Sequence, residues 1–302
     1  MPKIQSVAGG GAAPLIAAAV AYVTVKYVAM PHQRAYAAAL DRFLPLKMRG
    51  IYDPIRDQAQ TLMGLSALSG YFVMAVCICS TLDAYPKLTN SFKVQGHKNY
   101  FTASEWLQAT GVALANLFIF NWFATLPVFW LQRDVLYGRA ALLTMDDELH
   151  LPTAFLHFLM HVITIDVWFY STHYVLHWPI FYKAIHKFHH RFKAPTAVAC
   201  MYANPIEFCV GNVTGVVLGP ALTNCHPASA AFWMAYSLIS TSCSHSGYRV
   251  LGAENHDGHH EHFDYNFGVG VFMDKLFGTE FEGSAREKAI LAKRANQSGK
   301  AS

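Results

Sequence analysis

Between Asp166 and His190 the chain reads DVWFYSTHYVLHWPIFYKAIHKFHH, and five of those residues are histidines. His173 and His177 stand four apart, and His186, His189 and His190 follow as HxxHH. A second HxxHH lies downstream at His256, His259 and His260, with His245 between them in HSGY. On a helix, spacings of three and four put side chains on one face about one turn apart, so several imidazoles can converge on one point. Imidazole is neutral at physiological pH and is the commonest metal ligand among side chains. These nine histidines are too many for one ion. Split four and five, they suit two adjacent ions, each with room for oxygen or water. Scattered packing would explain a lone histidine, but not HxxxH, HxxHH and HxxHH in order.

The elements that must position them are apolar. The chain has 302 residues, 53% of them hydrophobic and only 14% charged, against roughly 25% charged in soluble domains. Gly11 to Met30 is apolar apart from Lys26, and lacks the cleavage pattern of a signal peptide. Gln60 to Leu82 and Trp106 to Gln132 carry no charge, and Leu151 to Tyr182 carries only Asp166. Each reaches the roughly 20 residues that span a bilayer core, with Pro127 expected to kink or end the third. A fifth apolar region, Ala197 to Ser244, is broken at Leu218 to Pro227 by LGPALTNCHP. Its prolines, glycine and asparagine predict a turn, hence a hairpin that enters and leaves on one side, spanning or re-entrant.

The expected fold is an all-α integral membrane protein, with about four transmembrane helices plus a helical hairpin and a cytosolic histidine-rich helical cap. It divides into an N-terminal transmembrane region (1–150), a di-metal region (151–282) and a polar C-terminal tail (283–302). Lys183, Lys187, Arg191, Lys193 and the basic residues from Lys275 onward favour a cytosolic histidine side. Arg34, Arg42, Lys47, Arg49 and Arg56, between the first two spans, pull the other way. A first segment lying on the membrane surface would remove that conflict. Six cysteines without a CxxC motif read as buried packing thiols. The net charge of +4 sits beside membrane segments, which indicates lipid headgroups or an acidic redox partner and no nucleic acid.

The ordered clusters resemble the fatty acid hydroxylase and sterol desaturase superfamily. Asp166-Val-Trp-Phe-Tyr, Asn204-Pro-Ile-Glu207 and Asp274-Lys-Leu-Phe-Gly-Thr match it as well. FKAPTAVACMYANPIE, GPALT and HSGY are most similar to C4-methyl sterol oxidases, whereas HHEHFDYNFG is closer to sterol side-chain hydroxylases. The resemblance implies an endoplasmic reticulum enzyme with two iron ions that uses O2 to hydroxylate or desaturate lipid C–H bonds. It also implies electrons from NAD(P)H, delivered through cytochrome b5 and its reductase; the chain shows no haem, flavin or nicotinamide fingerprint of its own. Zinc could replace iron in isolated protein. C4-methyl sterol oxidation is the foremost expectation, with sterol side-chain hydroxylation, sterol desaturation and fatty acyl or sphingolipid hydroxylation as alternatives.

No catalytic residue is expected beyond the metal ligands. Asp166 lies two helical turns before His173, and a carboxylate at membrane depth is costly and usually functional. It and Glu207 are expected to accept a hydrogen bond from a ligand histidine. His157 and His161 are too far down their helix to join the cluster, and read as packing residues or as ligands of a bis-histidine haem. A haem electron carrier of that kind would leave most of the nine histidines unexplained. A non-catalytic metal-binding scaffold is a third reading, and His262 a further ligand that the family pattern does not demand. Trp168, Phe169, Tyr170 and Trp178 read as packing and interface aromatics. Without HExxH, a zinc protease is disfavoured.

Overall fold

The computed structural model describes residues 12–43, 52–55, 57–270 and 272–289. Lys47, Arg49, Arg56 and the part of the polar tail beyond residue 289 lie outside them. The chain is an integral membrane protein, all-α, with no strand among the described residues. Five helices there are long and apolar enough to cross a membrane: α1 (Ala13–Phe43), α2 (Gln58–Asp83), α3 (Ala103–Tyr137), α4 (Leu151–Leu176) and, after the short α5 (Pro179–Ala184), α6 (Pro205–Thr223). Then come α7 (Pro227–His245), α8 (Glu254–His262) and α9 (Phe272–Phe277). Large apolar side chains on the outer faces, such as Leu15, Leu107, Phe123, Phe155 and Ile163, stay exposed, as lipid-facing residues do.

Local chemistry sets the ends. Thr102 and Glu105 form a reciprocal capping box that opens α3. Trp178-Pro179 closes α4 at Leu176, short of Tyr182, because the residue before a proline is pushed to extended backbone (Trp178 ψ 139°). Asn204 caps α6 by accepting from Ile206 N–H, with Pro205 at the first helical position.

Neither internal proline ends its helix, and the expected hairpin turn is present but shorter than LGPALTNCHP. α3 runs through Pro127 to Tyr137. α6 likewise continues through Pro220 to Thr223. A helical proline frees the carbonyl four residues back; here the Trp233 indole N–H donates to that carbonyl, Val216 O, at 2.8 Å. The turn is therefore only residues 224–226. It holds Asn224 in the left-handed region (φ 44°), and His226 accepts from Ala228 N–H to open α7.

This hairpin enters and leaves on the histidine side and reaches the opposite end of the bundle. There Asn224 donates to Ala141 O (2.8 Å) and His226 contacts Asp147 O (3.1 Å). α7 sits at the centre of the bundle, packed on α1 and α2, with Ala230, Ala231, Ala235 and Ser242 buried. Small residues let membrane helices approach closely, which is why this arm reads as less apolar than the lipid-facing spans. α1 packs on α2 and α7 as part of the bundle instead of lying apart on a surface. The six cysteines are free thiols, four of them buried.

Candidate metal centre

The nine histidines meet at one end of the bundle in two adjacent groups. His173, His177, His186, His190 and His259 form one; His189, His245, His256 and His260 form the other. Within each group the candidate ligand atoms all lie within 4.8 Å of one another.

Backbone geometry sorts the rings. The second cluster lies on a 3₁₀ turn, His186–Arg191, and not on the α-helix that its spacing suggests. At three residues per turn, His186 and His189 eclipse, and their rings stack at 5.5 Å. The stacked pair nevertheless enters different groups: His189 joins the four-histidine group, while His190 joins His186 in the five-histidine group. On α8, at about 100° per residue, His259 and His260 lie on either side of His256 and diverge by about 100°, and His260 joins His256 while His259 joins the other group. His173 occupies the last turn of α4, His177 caps it, and His245 ends α7.

The inward atoms are nitrogens at ligand spacing. In the five-histidine group, Nε2 of His186 lies 3.1 Å from that of His173 and 2.9 Å from that of His190, and His190 lies 3.2 Å from His259. In the four-histidine group the successive Nε2 separations are 3.5 Å (His189 to His245), 3.0 Å (His245 to His256) and 3.2 Å (His256 to His260). Nitrogens held about 2.0–2.1 Å from one ion would stand about 3.0–3.4 Å apart.

The outward atoms say what the inward ones carry. Nδ1–H donates to a carbonyl oxygen in His173 (Phe267, 2.7 Å), His259 (Tyr265, 2.6 Å), His189 (Tyr202, 3.0 Å), His245 (Thr241, 2.8 Å) and His260 (Phe192, 3.0 Å). A carbonyl only accepts, so the proton is on Nδ1 and the Nε2 lone pair faces inward. Burial holds His177 and His186 down to about 3, and His190, His259 and His260 well below the ordinary imidazole range, with neighbouring rings adding to the effect at the last three. Neutral rings with converging lone pairs in a buried space are a site for cations. The residues fit two metal ions.

The two carboxylates differ. Glu207, in the first turn of α6, brings Oε1 to 2.9 Å from His186 Nδ1, close but off the line of a good hydrogen bond. Asp166 touches no ligand histidine, contrary to the sequence expectation. Seven residues along a helix is roughly 10 Å, beyond a carboxylate's reach to His173. Instead Oδ1 accepts from Val269 (3.1 Å) and Gly270 (3.0 Å) N–H, and Oδ2 from Met273 N–H (3.2 Å). Asp274, which sequence reasoning left without a role, accepts from Phe267 and Gly268 N–H at 2.8 Å each. Gly268 is required where the two meet: a Cβ there would stand 2.9 Å from an oxygen of each. The pair pins the loop whose Phe267 and Tyr265 carbonyls orient His173 and His259.

The remaining candidates pack. His161 bonds Thr223 Oγ1 (2.9 Å) against Trp233, and His157 lies beside it. His262 stacks on Phe281. None of the three belongs to either group among the described residues. Trp168 donates to Val210 O, and Tyr170 stacks on Phe277. An apolar cavity lies in the far half of the bundle, lined by Tyr36, Ala67, Leu117, Phe129, Val217 and Met234. The buried segment Ala197–Met201 and Tyr202, fastened by Tyr71 and Asn116, stands between that cavity and the rings.

A family model described as fatty acid hydroxylase matches residues 158–279. The chain is 42% identical over 118 residues to fatty acid hydroxylase domain-containing protein 2 of Homo sapiens, covering 38% of this chain and 35% of that protein. It is 31% identical over 232 residues to a methylsterol monooxygenase of Aspergillus fumigatus, covering 69% and 75%. With a fatty acid hydroxylase of Mycosarcoma maydis it shares 28% over 210 residues, covering 68% and 54%. The matched stretch is thus little more than a third of the human relative's length. No solved structure matches.

Proposed function

The chain belongs to the fatty acid hydroxylase family, and from that premise we propose that it is a membrane-bound oxygenase whose nine histidines hold two iron ions and whose substrate is a sterol, oxidised at a C4-methyl group. The observation that carries this is the pair of buried groups of four and five imidazoles with inward Nε2 lone pairs. Iron in such a nitrogen shell, with positions left open, supplies the activation of dioxygen when bound. The chain's own residues do the rest. Five backbone carbonyls hold the tautomers, Glu207 lies against His186, and burial keeps bulk water from the rings. Reducing equivalents come from cytochrome b5 and its reductase, which an acidic surface would bring to the exposed Lys183, Lys187, Arg191 and Lys193.

The substrate class follows from where the rings sit. Trp178, Ile180 and Phe181 around α5, and Phe272, Leu276 and Phe277 on α9, are exposed apolar residues beside the histidine end. They fit a bilayer surface, so the reacting carbon must lie close to a polar end of the lipid. In a sterol the C4 carbon is next to the C3 hydroxyl. The match to a methylsterol monooxygenase over most of both chains supports the same choice. The basic residues around the rings favour this end at the cytosolic face of the endoplasmic reticulum, while Arg34 and Arg42 at the far end count against it.

Expression in cells lacking C4-methyl sterol oxidase tests the substrate. Accumulated 4,4-dimethyl sterols should fall at least severalfold. Well-expressed, metal-loaded protein that leaves them unchanged would sink the C4 assignment, and a hydroxylated acyl lipid in those cells would replace it with the fatty acyl alternative.

A further inference from the structure

Residues 84–102, between α2 and α3, fold over the histidine end and reach the turn after His245 and the start of α8 beside His256. Val94 N–H donates to Gly247 O at 2.8 Å, two residues after His245. Lys93, buried and 2.7 Å from Asp83, donates to Ser246 O at 2.6 Å. Gly247, at φ +72°, has no room for a side chain because Asn99 lies where its Cβ would be, 2.7 Å from Cγ. Beyond the turn, Asn99 Nδ2 donates to Asp257 Oδ2 (2.8 Å) and Gln95 Nε2 to Asp257 Oδ1 (2.6 Å). Asp257 is fully buried on α8, directly after His256. Gln95 and Asn99 also donate to Lys193 O and Pro195 O, just past the 3₁₀ turn.

The five-histidine group is held from elsewhere. His173 and His259 take their orientation from Phe267 and Tyr265, in the loop that Asp166 and Asp274 pin. Glu207 lies against His186.

We propose that the 93–99 segment is a brace for the four-histidine position, acting through Gln95 and Asn99 on Asp257 and through Lys93 and Val94 on the turn after His245. This rests on the two-ion reading above. Gln95, Asn99 and Asp257 are positioning residues: they touch no metal, but they fix the backbone that carries His245 and His256. A partner bonded directly to a ligand typically contributes roughly 10–100-fold to metal affinity, and a brace acting through the backbone is expected at the lower end of that range.

The test is metal content per chain, with titration of each ion, in detergent-purified full-length protein loaded with iron or cobalt(II). The wild type should hold two ions. The Gln95→Ala/Asn99→Ala variant should hold one after dialysis, its second ion weakened at least tenfold, and adding His245→Ala should cause no further loss. Asp257→Asn, equal in size, should give the same single ion and serves where the double variant does not fold. Two ions kept at unchanged affinity would overturn the brace, and so would loss of both ions together, which marks general destabilisation. A wild type holding fewer than two ions would instead overturn the two-ion reading beneath it.

Discussion

His259→Ala should lose metal and lipid oxidation together while the protein still inserts and folds. Its Nε2 lies 3.2 Å from that of His190 in the middle of the five-histidine group, and its Nδ1–H is fixed by Tyr265 O. Removing such a ligand should cost more than the roughly 10–100-fold typical of an outer partner, taking turnover below detection. His189→Ala should do the same from the four-histidine group, because the oxidation needs both ions. His161→Ala is the control. That ring is buried, its hydrogen-bond partner Thr223 lies 62 residues along the chain, and it joins neither group, so its loss should lower stability by roughly 0.5–3 kcal/mol as a packing defect and leave the metal count alone. Metal analysis and product formation on the three variants decide the matter. Unchanged turnover in His259→Ala, or metal loss confined to His161→Ala, would reverse the assignment.

Asp166→Ala has the next largest expected effect, through the loop it holds. Three backbone N–H groups, of Val269 and Gly270 (part-buried bonds) and of the buried Met273, would lose their acceptor at once. An unsatisfied buried donor costs about 1–3 kcal/mol, so the loop should become less stable by about that much through Met273, the two part-buried donors adding less. With Phe267 displaced, His173 loses the carbonyl that fixes its tautomer. The expected result is rapid proteolysis between α8 and α9 and a weakened five-histidine position, with the four-histidine ion retained. Asp166→Asn should be milder. Its remaining oxygen can still serve Val269 and Gly270, while its amide faces Met273 N–H. Limited proteolysis with metal analysis reads both effects, and an Asp166→Ala protein as resistant and as metal-replete as the wild type would refute this role.

Much of this molecule was legible in its residues, for identifiable reasons. The spans could be read because bilayer thickness demands long apolar runs, and the histidines because ligand chemistry demands many imidazoles at short spacing. The direction of the hairpin followed from its flanking clusters. Its boundaries did not, because Trp233 satisfies the carbonyl freed by Pro220, a contact between residues far apart along the helices. The role of Asp166 was misjudged from helical phase alone: phase gives a direction, but not the rise of seven residues. Asp257 could have been noticed as a charge inside HDGHH. Gln95 and Asn99 could not, since nothing local in VQGHKNY reveals a partner more than 150 residues away. The sorting of nine rings into five and four was not legible either, because His186 and His189 stack on a 3₁₀ turn yet belong to different groups.

The most direct measurement is the iron content and coordination of the wild-type protein, purified in mild detergent from iron-replete cells, by elemental analysis and X-ray absorption. Two iron ions per chain in a nitrogen-rich shell, with no sulfur ligand and no haem absorption, is the predicted result. One ion per chain, or a haem Soret band, would contradict it.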